Sequence, residues 1–177
     1  MVVRVSQPAF NLRSRLNELD GTVPHEKMPI GSTWLLKHTT SSTRTNVSNN
    51  GSWTSLSGLS IDVQPKFRNS KLWIEFNFTM EMYDRINGLA FKIVRESPIG
   101  SNSTKVYEHD QHSHWDPSRD WTGPGTIYLT VMDEPNYPIG QKVKYYVQCK
   151  KQSGNDLYSN YGQDESGIQN TVWEIKQ

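Results

Sequence analysis

A single cysteine, Cys149, stands in the 177 residues, so no disulfide can form within the chain. It alternates with Tyr145 and Val147, a pattern that buries an inert thiol in a sheet instead of presenting a nucleophile. Charge of one sign is also missing. Nineteen basic residues face 18 acidic ones, which removes the global electrostatic case for a nucleic acid or an anionic membrane as partner. No apolar run nears the ~20 residues needed to cross a bilayer. The opening MVVRVSQPAF has neither the apolar core nor the cleavage pattern of a secretory signal. Synthesis in a cytoplasm is therefore expected, with any exterior location reached by another route, such as assembly into a particle. In that setting the sequons at Asn46, Asn50, Asn77 and Asn102 are chance matches in a Ser/Thr/Asn-rich chain. Catalytic signatures are lacking too: no G-x-S-x-G elbow, no phosphate-binding glycine loop and no H-E-x-x-H helix. Acid pairs such as Asp110 with Asp116, or Asp133 with Glu134, read as solvated loop groups and not as a glycosidase pair. The expectation is a protein that is not an enzyme.

What is present is alternation. Between Lys71 and Met82, the residues Leu72, Ile74, Phe76, Phe78, Met80 and Met82 take every second position. Their neighbours are polar, apart from Trp73. Strand side chains point to opposite faces in turn, so this period of two predicts a long strand with one buried face. A helix would scatter the same six residues around its circumference. Leu59, Ile61 and Val63 repeat the pattern up to Pro65. Further strands are expected near 33–38, 44–48, 52–56, 58–64, 88–96, 104–109, 125–133, 141–151 and 170–176. Turn pairs such as Asn50-Gly51, Asn87-Gly88 and Ile139-Gly140 separate many of them. The last strand puts Val172 and Glu174 on one face, with Trp173 and Ile175 on the other. Some ten strands after residue 30 predict an all-β fold, an antiparallel β-sandwich with jelly-roll topology.

Residues 1–30 read differently from 31–177. Leu12, Leu16 and Leu19 recur at helical spacing before Gly21, a plausible C-cap, and Pro24 and Pro29 mark an extended linker. The expected organisation is an N-terminal attachment segment with one short helix, followed by a sandwich head domain. A helix of about ten residues is marginal alone in water, so its leucines need a surface. That surface is either the chain's own sheet or a partner.

Two irregular stretches, 97–125 and 152–168, carry the side chains suited to recognition, and loops on a rigid sheet scaffold are where binding concentrates. Trp115, Trp121, Tyr158 and Tyr161 are of the type that stacks on the apolar face of a sugar ring, while Arg119 and Asp120 suit its hydroxyls. The same aromatics also suit pinning loops to the sheet. In the run 108–116, His112 and His114 are competent metal ligands. Two imidazoles in one extended chain rarely complete a site alone, but around a threefold axis the pair would supply six. A solvated polar loop is the other reading, and no resident cofactor is expected.

Several ordered motifs carry a family resemblance. Trp53-Thr54, the run from Gly58 to Pro65 and the run from Ser70 to Ile74 follow the pattern W-T, G-L-S-x-x-V-x-P, S-K-L-x-I. Asp133-Glu134-Pro135, Val143 to Gln148 and Thr171 to Ile175 continue it, and Met28 to Ser32 opens it. Together they resemble the C-terminal domain of fibre-like virion proteins of marine tailed phages, especially cyanophages, over about 145 of the 177 residues. The resemblance implies a non-enzymatic structural protein on the virion surface, in the tail fibre or on the capsid exterior. It implies a homotrimer, attached to other virion proteins through the N-terminal segment and meeting a host surface glycan or protein. With only 30 residues before the head, a capsid decoration or head-fibre role is the alternative. A free carbohydrate-binding module is a third class, disfavoured by the missing secretion signal.

Overall fold

A computed structural model describes residues 27–48, 51–82, 87–109, 123–153, 157–159 and 167–177. The expected N-terminal helix lies outside these residues. Everything regular among them is strand: β1 Thr33–Ser41, β2 Thr45–Val47, β3 Thr54–Val63, β4 Lys71–Met82, β5 Asn87–Glu96, β6 Ser103–His109, β7 Gly123–Asp133, β8 Val143–Ser153, β9 Leu157–Ser159 and β10 Ile168–Ile175.

β4 is the centre of the first sheet. On one side it pairs with β7 along its whole length, from Leu72 opposite Asp133 to Met82 opposite Gly123. On the other side β10 pairs with its first half and β9 with Met80 and Glu81. β1 and β2 then run along β10 and β9 respectively. The first sheet is thus four strands wide, in the order β1/β2, β10/β9, β4, β7. The second sheet has the order β3-β8-β5-β6. Apart from the steps β1–β2, β5–β6 and β9–β10, which stay within one sheet, each connection crosses to the other sheet, so the predicted jelly roll is the observed topology.

The core lies between the sheets. Leu72, Ile74, Phe76, Phe78 and Met80 of β4 are fully buried, as the alternation requires. They meet Leu59 and Ile61 of β3, Phe91 and Ile93 of β5, and Tyr145 and Val147 of β8. Phe78 and Phe91 contact edge to face across the layers, with ring centroids 5.7 Å apart. Cys149 is buried among them, in line with its expected inertness.

Two features differ from the sequence expectation. The stretches 52–56 and 58–64 form the single strand β3, whose pairing with β8 shifts register between Ser55 and Ser60. Leu56 and Leu59 both point inward although three positions apart. Gly58 makes this possible as a bulge residue with φ of +79°. A Cβ there would sit 2.5 Å from Ser41 Oγ, so only glycine fits. Secondly, the stretch 152–168 is not wholly irregular: β8 extends to Ser153, and Leu157–Ser159 form β9.

Truncating Phe78 to Ala should cost about 3–5 kcal/mol in urea unfolding, because both sheets lose contacts at once. Ile139→Ala, at a turn position 61% exposed, should change stability by less than about 0.5 kcal/mol.

Candidate functional site

The sandwich has two poles, set by the antiparallel course of its strands. β4 enters at Lys71 and leaves at Met82, roughly 37 Å away at ~3.4 Å per residue. At the first pole the chain enters through Met28 to Ser32. There Gly31 N donates to Lys176 O (2.8 Å), Lys176 N donates to Ser32 O (3.0 Å), and Lys176 Nζ donates to Met28 O (2.7 Å). The turns 64–70 and 134–142 lie at the same pole. At the opposite pole stand His109, Gly123, Ser153, Leu157 and Ser159, the strand ends that flank the candidate recognition residues.

Trp115, Arg119, Asp120, Trp121 and Tyr161 lie outside the described residues, as do His112 and His114. So do Leu12, Leu16 and Leu19. The backbone of Tyr158 falls in β9, opposite Asn46 and Glu81. What the fold adds is the location of their anchors. The stretch holding Trp115 to Trp121 spans from His109 to Gly123, and the one holding Tyr161 follows Ser159; both are anchored at the pole opposite the chain entry. The turn 97–102, by contrast, sits at the entry pole, so the stretch 97–125 is divided between the two ends. No group of three or more potential metal ligands occurs among the described residues.

The entry pole is built around a buried acid. Glu174 is fully buried beside Val172, on the face the alternation assigns it. Its carboxylate accepts from Lys66 N (3.0 Å), Phe67 N (2.9 Å) and Ser70 Oγ (2.6 Å), and so holds the turn between β3 and β4. Ser70 Oγ and Tyr137 OH are 2.6 Å apart. Burial, with the charges of Glu174 and Asp133 adding to it, pushes the Tyr137 phenol up to about 12. Tyr137 is 4% exposed and structural. Open clefts of about 530 and 520 Å³ flank this pole, one lined by Arg68, Asn69 and Asn136, the other by Lys37, Asp62 and Lys66. Neither contains a nucleophile with an adjacent base.

A second polar cluster ties the two sheets together. Arg95 Nη1 of β5 donates to both oxygens of Asp133 on β7, at 2.8 and 2.7 Å, and Tyr145 OH of β8 donates to Oδ2 at 2.7 Å. Burial beside Asp133 drives the Tyr145 phenol far above its ordinary value. Glu134 turns away to pair with Lys71 at 2.6 Å. Asp133 and Glu134 therefore serve two separate ion pairs; Glu134 is exposed, but Asp133, expected in a solvated loop, is a largely buried residue at the end of β7.

The outer faces differ in character. On the second sheet, Lys92 and Lys150 lie over the Trp53 ring at 4.4 and 4.9 Å, and Lys105 pairs with Glu108. On the first sheet the register aligns Leu35, Trp173, Trp73 and Met132 in one row across four strands. The next row is His38, Thr171, Glu75 and Thr130, and its polar groups engage the neighbouring rings. Trp73 Nε1 donates to Thr130 Oγ1 (2.7 Å), Trp173 Nε1 donates to Glu75 Oε2 (3.2 Å), and Tyr128 OH donates to Glu75 Oε1. The indoles are thereby laid over the sheet. Sequence reasoning missed this row. The signal was Trp73 standing on the polar side of its strand, but its alignment with Trp173 depends on register.

No family model matches the chain, and no curated protein does. Among solved structures it is similar to Eiger TNF from S. frugiperda, at 10% identity and a TM-score of 0.44 over 82% of this chain and 92% of that one. It is also similar to infectious bursal disease virus, Gx strain, at 10% identity and 0.40, covering 88% of this chain and 46% of that one. The VP2 subviral particle of infectious bursal disease virus gives 14% and 0.38, with 81% and 37% covered. Likeness of this degree carries no information about what the chain does.

Glu174→Ala would leave two backbone amides and a hydroxyl without their acceptor; the expected loss is on the order of 3 kcal/mol in urea unfolding. Alkali gives an independent check. Phenols whose folded pKa is raised stabilise the fold fully below the unfolded value near 10, and that stability drains as pH climbs towards the folded value. With Tyr137 at about 12, the melting temperature should hold to about pH 9 and fall steadily between about pH 10 and 12.

Proposed function

We propose that this chain is a non-enzymatic structural protein of a tailed phage particle, displayed on its exterior, with a host-attachment role. Residues 1–30 carry the attachment to other virion proteins. The stretches beginning after His109 and Ser153 meet the host surface, and their Trp115, Trp121 and Tyr161 supply stacking surfaces for a glycan ring. Arg119 and Asp120 supply hydrogen bonds to its hydroxyls. The chain acts as a homotrimer.

The observation that carries this reading is the polarity of the sandwich. The chain enters at one end, beside Lys176, and both recognition stretches are anchored at the other, across the full length of β4. A surface protein needs that separation, because whatever holds it must not occlude what it contacts. The rigid all-strand body between the poles suits transmission of a fixed orientation. The motif resemblance to fibre-like phage domains points the same way. Whether the receiving structure is the tail or the capsid is read from copy number in the particle: capsid decoration would follow the symmetry of the shell.

The test is binding of the purified full chain to a bacterial polysaccharide array, beside Trp121→Ala and Trp115→Ala variants. Specific binding that falls at least about tenfold in the variants, each worth ~1.4 kcal/mol or more at unchanged melting temperature, is the expected result. Absence of the chain from purified particles would contradict the reading.

A further inference from the structure

From the outer face of the first sheet we infer that this is where copies of the chain meet, in a parallel cyclic assembly with that face turned to the symmetry axis. The inference rests on the homo-oligomer reading above and assigns it a surface.

Exposed apolar side chains elsewhere among the described residues are single and sit at turns or the chain entry: Ile30, Ile99 and Ile139. On this face they are contiguous. Leu35 (44% exposed), Trp73 (42%) and Met132 (48%) lie in one cross-strand row with half-buried Trp173, and Tyr128 (55%) stands two rows along. Aromatic residues and methionine are the types enriched in the dry centre of protein interfaces, and charge is depleted there. In this patch the one formally charged side chain among the described residues is Glu75, and both its oxygens already accept, from Tyr128 and Trp173. The indole N–H of Trp73 is likewise taken by Thr130. These handles are satisfied inside the face, so covering it with another apolar surface leaves none of them unpaired.

Area and charge favour a second copy as the occupant. Four strands at ~4.8 Å and three rows at ~6.8 Å give a face on the order of 400 Å² in projection, whose accessible area is larger still. That is of the order of the ~800 Å² a stable interface takes from each partner. The second sheet makes a poor alternative, since its outer face carries Lys92 and Lys150 beside the Lys105–Glu108 pair, charges that a dry interface would have to desolvate. The strands of the first sheet run from pole to pole. A cyclic assembly along that direction puts every chain entry at one end and every recognition stretch at the other, whereas an antiparallel dimer would oppose them.

The experiment is native mass and light scattering of the full chain at tens of micromolar, beside Trp73→Lys, Met132→Lys and the turn control Ile139→Lys. A lysine at the centre of a dry interface should weaken association at least about a hundredfold. The expected result is an oligomeric wild type and control, with monomeric Trp73→Lys and Met132→Lys chains of unchanged circular dichroism. Should Trp73→Lys misfold, Met132→Lys at the end of the row decides. If the wild type is oligomeric and a folded Met132→Lys chain keeps its mass, the face is wrong while the homo-oligomer stands, and a foreign ligand becomes its occupant. If the wild type is monomeric, both fail; destabilisation by Trp73→Lys in that case would assign the face to the chain's own first 26 residues.

Discussion

Strand β4 sets the terms for everything around it. It is bonded on both sides, to β7 along one flank and to β10 and β9 on the other. Its side chains alternate between two unlike environments. Leu72 to Met80 at the even positions are sealed from water, while Trp73 and Glu75 at odd positions organise the outer face. A register slip of one residue would exchange the two sets, placing Glu75 in the core and Phe76 in solvent. The strict period of two therefore fixes register as well as burial, and the neighbouring strands inherit it.

Hydrophobic contact alone would allow the two sheets to slide. Two buried polar clusters oppose that, each with directional bonds. Asp133 binds Arg95 and Tyr145, which belong to the opposite sheet. Glu174 binds the turn that carries the chain from β3 in the second sheet to β4 in the first. Both clusters sit at the entry pole; farther along the sandwich, buried Asn170 of β10 donates to Gly58 O of β3 at 2.8 Å and adds a third tie between the sheets.

Much of this could be read from the residues alone. Alternation in Leu72 to Met82 and in Val143 to Cys149 gave strand identity and inward face, because a half-buried antiparallel strand leaves that imprint. The pairing of Val172 with Glu174 on one face was equally visible, but which face of that strand is inward was not; the fold buries both. The rest depends on information that is not local. β9 has three residues in a polar stretch and exists through pairing with β2 and β4, which no window of sequence reveals. The continuity of β3 depends on one glycine adopting a positive φ, and the same Gly58 reads equally well as a break. Trp73 and Trp173 become neighbours only through register. The candidate recognition residues are legible only by type, and the fold contributes the pole at which their stretches are anchored.

Amide hydrogen exchange across β4 tests the central claim most directly. Amides of Leu72 to Met80, bonded to strands on both flanks inside an all-strand core, should be the slowest in the chain and open only with global unfolding. Exchange there at the rate of the 97–102 turn, or a helical signature over the same residues, would contradict the alternation on which the sandwich, its poles and its outer face all depend.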